Sequence, residues 1–346
     1  MRRRWQFILG VIISVVSLSI ALRNLELAKV WEVFRGARYW WIIPGVAVYF
    51  LGVLGRTWRW HYLLRPLKRV SLRRLFPVVT IGYMGNNVYP ARAGEVIRAY
   101  VLRRNEGVSV SSSLATVVVE RMFDGLVMLI FVFIGLPFTP MPAWLRQFVV
   151  IASGVFFGAL AVFFVFAIRP GWARSLYQPL VGRVVPERWR EPVVGFLERF
   201  VEGLSSLRSA RDVLMIFVTS VLIWLAETVK YWFVMQAFVG PGTGFPVAFY
   251  VLMLMNGVVN LWTTIPSAPG YVGTFDLPGI EILSIFGVPR DVAAAYTLVL
   301  HAALWLPITL LGGWYMWRQQ VSWREFGEAE QAQEGAESVS VRAGKE

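Results

Sequence analysis

Cysteine is absent from the 346 residues, and histidine occurs only as His61 and His301. Disulfides, thiolate metal centres and cysteine nucleophiles are therefore excluded, a histidine metal site lacks ligands, and neither a metal nor a cofactor is expected. Charge is scarce: 16% of residues are charged against 57% hydrophobic, with mean hydropathy +0.57. That balance is foreign to a soluble globular domain and marks a polytopic membrane protein. Acidic residues number 21 against 34 basic ones, for a net charge of +13. The basic residues lie between the apolar runs instead of on one polar domain, so no nucleic-acid partner is expected. A small-x-small cleavage site is also missing after the leading arginines, and Trp5 to Leu22 reads as a retained first span.

Apolar runs long enough to cross a bilayer follow at about Trp41 to Leu64, Ser111 to Leu136, Gln147 to Ile168, Asp212 to Val239 and Val292 to Trp317. Leu75 to Tyr89 and Val247 to Ile265 are shorter and run into Pro/Gly breaks. The expected fold is all-α, a polytopic transmembrane helical bundle with two re-entrant or broken-helix hairpins. The membrane domain is expected over residues 1–318, with a disordered tail over 319–346. Within 169–211, Val193, Phe196, Leu197, Phe200, Val201, Leu204 and Leu207 recur at helical spacing. They predict an amphipathic helix that lies at the membrane surface or covers one end of the bundle. Of the 34 basic residues, six fall in expected outer loops, Arg121 and Lys230 fall within spans, and 26 remain inside. That asymmetry predicts a plasma-membrane protein with both termini cytoplasmic. The run containing Arg56, Arg59, Arg65, Lys68, Arg69, Arg73 and Arg74 reads as a cytoplasmic exit that attracts anionic lipid.

Two stretches echo each other. One runs from Asn86 through Pro90 and Gly94 to Gly107-Val108, the other from Asn260 through Pro266 and Gly270 to Gly287-Val288. The closing spans run in opposite senses, as an inverted repeat requires, and such repeats place substrate near broken helices. Intramembrane ionisable residues point to function by default. Arg92, Glu95 and Arg98, spaced by three, would share a helix face on which arginine forks suit phosphate. Glu120, Arg121 and Asp124 form a second cluster with surplus negative charge. Asn87, Pro269, Gly270 and Asp276 flank the breaks, and Glu227, Lys230, Glu281 and His301 are candidate coupling residues.

Pro90-Ala91-Arg92-Ala93-Gly94-Glu95-Val96-Ile97-Arg98, then Glu120-Arg121-Met122-Phe123-Asp124, then Pro266-Ser267-Ala268-Pro269-Gly270-Tyr271-Val272-Gly273 resemble the lysylphosphatidylglycerol synthase transmembrane family, also called flippase-like or UPF0104 proteins. The resemblance covers roughly residues 5–318. It implies a helical membrane fold that moves phospholipids, aminoacylated phospholipids or other polar lipids between leaflets. Only a polar tail follows Arg318, so lysyl transfer by this chain is not expected. A membrane transferase using a lipid-linked donor is the alternative, and a non-catalytic partner of a separate lipid-modifying enzyme is a third. The expected partners are membrane lipids.

Overall fold

The computed structural model describes residues 2–320, apart from 24, 90–91, 140–146, most of 148–169, 186, 205–206, 208 and 266. Among the described residues are twelve α-helices and no strand: α1 Arg2–Leu22, α2 Leu27–Gly36, α3 Ile42–Leu64, α4 Leu72–Val88, α5 Gly94–Glu106, α6 Val110–Gly135, α7 Pro170–Val184, α8 Glu187–Gly203, α9 Ala210–Gln236, α10 Phe249–Trp262, α11 Asp276–Ile285 and α12 Arg290–Arg318. The stretch Tyr39–Leu64, which ends in α3, and helices α9 and α12 are each long and apolar enough to cross a membrane. Helix α6 matches them in length but carries Glu120, Arg121 and Asp124 near its middle. Helices α1 and α2 meet at 83°, so the expected outer loop after the first span is itself largely helical. The expected span Gln147 to Ile168 lies mostly outside the described residues, as do the tail from residue 321 and the break prolines Pro90 and Pro266.

The ends of the helices follow local chemistry. The Ser109 hydroxyl accepts from the Ser112 amide at 3.1 Å and caps α6, filling one of the donors a helix start leaves open. Helix α5 begins with Glu95 in its first turn, ends with Arg103 and Arg104, and stops at Gly107 in left-handed backbone (φ 71°). That charge order suits the helix dipole, and glycine is the usual residue for such a stop.

Packing pairs the helices in a regular way. Helix α3 lies along α9, α4 on α12, and α6 on α10; α4 contacts α5, α5 contacts α6, α10 contacts α11 and α11 contacts α12. Exchanging α3–α6 with α9–α12 maps the α3–α9 pair onto itself and each of the other pairs onto another of them, and the amphipathic helices follow: α2 packs on α12 as α8 packs on α6. Helix α8 is thus a packing element. Ser112 donates to the Arg199 carbonyl at 2.9 Å, and Leu204 and Leu207 just beyond α8 join the core formed by α3, α4 and α5.

Close approach between α4 and α5 depends on glycine. A Cβ on Gly94 would lie 1.8 Å from the Gly82 carbonyl oxygen and 2.5 Å from the Asn86 amide, both backbone atoms that cannot swing aside. Gly94→Ala should therefore exceed the roughly 1–3 kcal/mol typical of overpacking. The expected outcome is a sharp fall in the yield of monodisperse protein on size exclusion in detergent, with Ala99→Gly as the mild control.

Candidate functional site

Charge enters the middle of the bundle on several helices. Arg56 is the fifteenth of 23 residues in α3, Arg121 the twelfth of 26 in α6, Glu227 the eighteenth of 27 in α9, and His301 the twelfth of 29 in α12. A lone charge at such depth costs about 2.5–3.5 kcal/mol on insertion scales, so partners are needed.

Three linked groups supply them. In the first, Arg59 Nη1 contacts Asp124 Oδ1 at 2.7 Å and donates to Ser220 Oγ at 2.6 Å, while its Nε lies 3.4 Å from Glu120 Oε1. Arg98 pairs with Glu120 and sits over the Trp60 ring, 4.7 Å from its centroid. Trp224 Nε1 donates to Asp124 at 2.9 Å, and Arg121 bridges Glu95 at 3.3 Å and Asp124 at 3.5 Å. In the second group, Arg56 contacts one oxygen of Glu227 at 2.6 Å and Lys230 takes the other. The third joins a break to a helix: His301 Nδ1 faces Asp276 Oδ1 at 2.9 Å, its Nε2 faces the Gly270 carbonyl at 2.7 Å, and Asp276 also accepts from the Gly273 amide at 2.8 Å.

Between these groups lies a cavity of about 150 Å³. Its charged walls are Arg56, Arg92, Arg121, Lys230 and Glu227, four cations against one carboxylate, with His301 beside them. Asn86, Asn87, Asn260, Tyr49, Tyr83, Tyr231, Tyr271, Trp224 and Trp305 contribute most of the remaining polar and aromatic surface. The two breaks meet here. Asn87 donates to Thr309 Oγ1 at 2.8 Å, Trp305 Nε1 donates to the Asn87 carbonyl at 3.3 Å, and a Cβ on Gly270 would lie 3.0 Å from the same Trp305 nitrogen. Serine 14 of α1 braces the second break by accepting from the Ala268 amide at 2.8 Å.

Backbone conformation singles out two of the lining residues. Arg92 (φ 55°) and Tyr271 (φ 59°) are non-glycine residues in left-handed backbone, one at each break. Such conformations persist where the surroundings impose them, and they cluster at functional sites. Arg92 is held lightly: Nη2 lies 3.4 Å from Thr263 Oγ1, and Nε has no partner. Among the described residues it is in no ion pair.

The family model described as "Lysylphosphatidylglycerol synthase TM region" matches residues 7–312. The chain belongs to this family. Similar proteins include a glycosyltransferase, AglD, of Haloferax volcanii, 26% identical over 90% of this chain, of whose length the chain spans about half (54%). A UPF0104 membrane protein of Methanothermobacter thermautotrophicus is 25% identical over 87% of this chain and 92% of its own length. One from Methanocaldococcus jannaschii is 22% identical over 87% and 91%.

Within this member of the lysylphosphatidylglycerol synthase TM region family, the residues expected from sequence fall into shells. Arg92, Arg121, Asn87, Gly270, Glu227, Lys230 and His301 line the cavity. Glu95, Arg98, Glu120, Asp124 and Asp276 stand behind them as ion-pair or hydrogen-bond partners, and Pro269 belongs to the turn that presents Gly270. Glu281 lies apart, half-buried and paired with Arg290 at 2.7 Å. The shared helix face of Arg92, Glu95 and Arg98 does not form, because α5 starts only at Gly94 and Arg92 belongs to the turn before it.

The larger correction concerns Arg56 and Arg59, which sequence assigned to a lipid-attracting exit. Both are buried, at 7% and 1% exposure, and they supply the counter-charges that Glu227, Glu120 and Asp124 need. The surplus of negative charge read in α6 is thereby reversed. A signal was present: three intramembrane carboxylates against Arg121 and Lys230 leave one unpaired, and Arg56 and Arg59 are the basic residues of that run nearest the middle of a span.

His301 closes a path between α12, Asp276 and the second break. His301→Ala should cost about 1–3 kcal/mol, because Asp276 and the Gly270 carbonyl lose a partner in a buried setting. The check is a fall in the Tm of purified protein in detergent, and an unchanged Tm would remove His301 from the frame of the site.

Proposed function

We propose that the protein translocates a polar lipid between leaflets. The head group occupies the cavity between the two breaks, and the acyl chains stay in the hydrocarbon. One observation carries this reading: each break turns a non-glycine residue in left-handed backbone, Arg92 and Tyr271, into one cation-lined space among apolar helices. Strained backbone and unmatched charge at membrane depth both need an offset, and a polar ligand that visits the space supplies it.

An apolar groove of about 600 Å³ between α3 and α9 supports a lateral path for the tails. Its walls include Gly55 and Ile223, each next in sequence to a cavity residue, Arg56 and Trp224. The exchange symmetry of the helix pairs supports two halves of opposed orientation around the cavity, with rocking of one against the other as the means of alternating access. Both termini then lie in the cytoplasm, by the distribution of basic residues.

The test is leaflet accessibility of fluorescent phospholipids to a membrane-impermeant quencher in proteoliposomes. Transfer across the bilayer above the rate of empty vesicles, for at least one lipid class, is expected. No such transfer across anionic, zwitterionic and aminoacylated lipids would end the reading.

A membrane transferase is the second reading, favoured by the similarity to the haloarchaeal glycosyltransferase. Against it, both oxygens of Glu227 and both nitrogens of His301, the acid and the histidine among the described lining residues, are already engaged. Product formed from a lipid-linked donor by purified protein would decide for it. Co-purification with a separate lipid-modifying enzyme would add a partner without displacing either reading.

A further inference from the structure

We propose that the cavity is selective for a compact anionic head group, a phosphate bearing at most a small uncharged polar substituent, and against a cationic aminoacylated one. The proposal rests on the translocator reading for the lipid nature of the ligand and on the cavity alone for its charge.

The sign of the cavity follows from which acids reach it. Six cations, Arg56, Arg59, Arg92, Arg98, Arg121 and Lys230, share the interior with five carboxylates, Glu95, Glu120, Asp124, Glu227 and Asp276. Two of those acids, Asp124 and Glu120, are buried behind the wall, each facing an arginine, and a third, Glu95, lies beside the cavity facing Arg121. The fourth, Glu227, reaches the cavity with one oxygen on Arg56 and the other on Lys230. Asp276 also stands outside the wall, turned to His301. An incoming ammonium would therefore meet four cations on the described wall of this cavity and one carboxylate, Glu227, with both oxygens already paired. A buried charge without a partner is strongly disfavoured.

A phosphate meets the opposite situation. Arg92 carries a planar fork with no carboxylate on it and an unpartnered Nε, and Arg121 faces the same space. Guanidinium forks match phosphate oxygens, and charge-assisted bonds of this kind are the strong ones. Size points the same way. A space of about 150 Å³ is of the order that admits a single six-membered ring in an engineered protein cavity, so a compact head group fits it more readily than one with a lysyl extension.

The experiment uses the purified full chain in non-ionic detergent, titrated with dihexanoyl phosphatidylglycerol, dihexanoyl phosphatidylcholine, short-chain lysyl-phosphatidylglycerol and, separately, inorganic phosphate, with tryptophan fluorescence as the readout. The anionic lipid should bind at least tenfold more tightly than the other two lipids, and Arg92→Gly should remove that preference. Inorganic phosphate should compete only at far higher concentration. Equal or tighter binding of the lysyl lipid would overturn the proposal, as would an unchanged preference in Arg92→Gly. Phosphate as tight as the lipid would overturn the lipid-borne assignment in favour of a free anion. Selective binding without transfer in vesicles would sink the translocator reading alone, and transfer that favours the lysyl lipid would sink this inference alone.

Discussion

Arg59→Ala should abolish the folded protein or lower its stability by about 3–5 kcal/mol, the range measured when one member of a buried ion pair is removed. Arg59 is 1% exposed and lies between Asp124 and Glu120, each also 1% exposed. Removing it leaves Asp124 with Trp224 and a more distant Arg121, and Glu120 with Arg98 alone. The deficit falls where α3, α6 and α9 meet, since Arg59 also donates to Ser220 of α9. The readout is the apparent Tm in detergent with the fraction eluting as a single species. The double variant Arg59→Met/Asp124→Leu removes both charges and should recover much of the loss, because a buried pair replaced by apolar residues is often neutral. Recovery of stability without recovery of transport would show that the pair has a role beyond holding the bundle together. If the single variant were as stable as wild type, the interior ion pairing described above would be wrong.

Arg92→Gly should do the reverse, sparing the fold and stopping transfer. The Arg92 side chain contributes one long hydrogen bond to Thr263 and no ion pair among the described residues. Its backbone, at φ 55°, is in a region where glycine carries no steric penalty. Relief of strain offsets the greater freedom of glycine in the unfolded chain, so Tm should stay within a few degrees of wild type. Lipid transfer in proteoliposomes should fall to the level of empty vesicles. Arg92→Lys should restore part of it, because lysine keeps the charge without the bidentate fork. Transfer at the wild-type rate in a normally folded Arg92→Gly protein would remove Arg92 from the mechanism.

Much of this architecture was legible beforehand. The apolar runs match α3, α6, α9 and α12 to within a few residues, and the two breaks stand where Pro and Gly cluster. The amphipathic spacing from Val193 identifies α8, and only the tertiary structure shows that it packs on α6. The cavity was legible in outline, since Arg92, Arg121, Glu227, Lys230 and His301 all reach it. The inward turn of Arg56 and Arg59 is not legible in the local sequence, because a charged residue near the end of an apolar run has the same local signature whether it leaves the membrane or turns inward. Glu281 does not line the cavity, because nearness to a break in sequence does not fix the face of α11 on which a side chain sits.

Sequence by itself determined the membrane class, the family, the position of the two interruptions and the ionisable residues held at depth other than Arg56 and Arg59, because hydropathy and helix-breaking residues act locally. Tertiary structure alone decided which cation meets which carboxylate, and so the positive sign of the cavity. Arg59 and Asp124 are 65 residues apart and Arg56 and Glu227 are 171 apart. Whether such pairs form depends on the rotation and contact of whole helices, which no local pattern records.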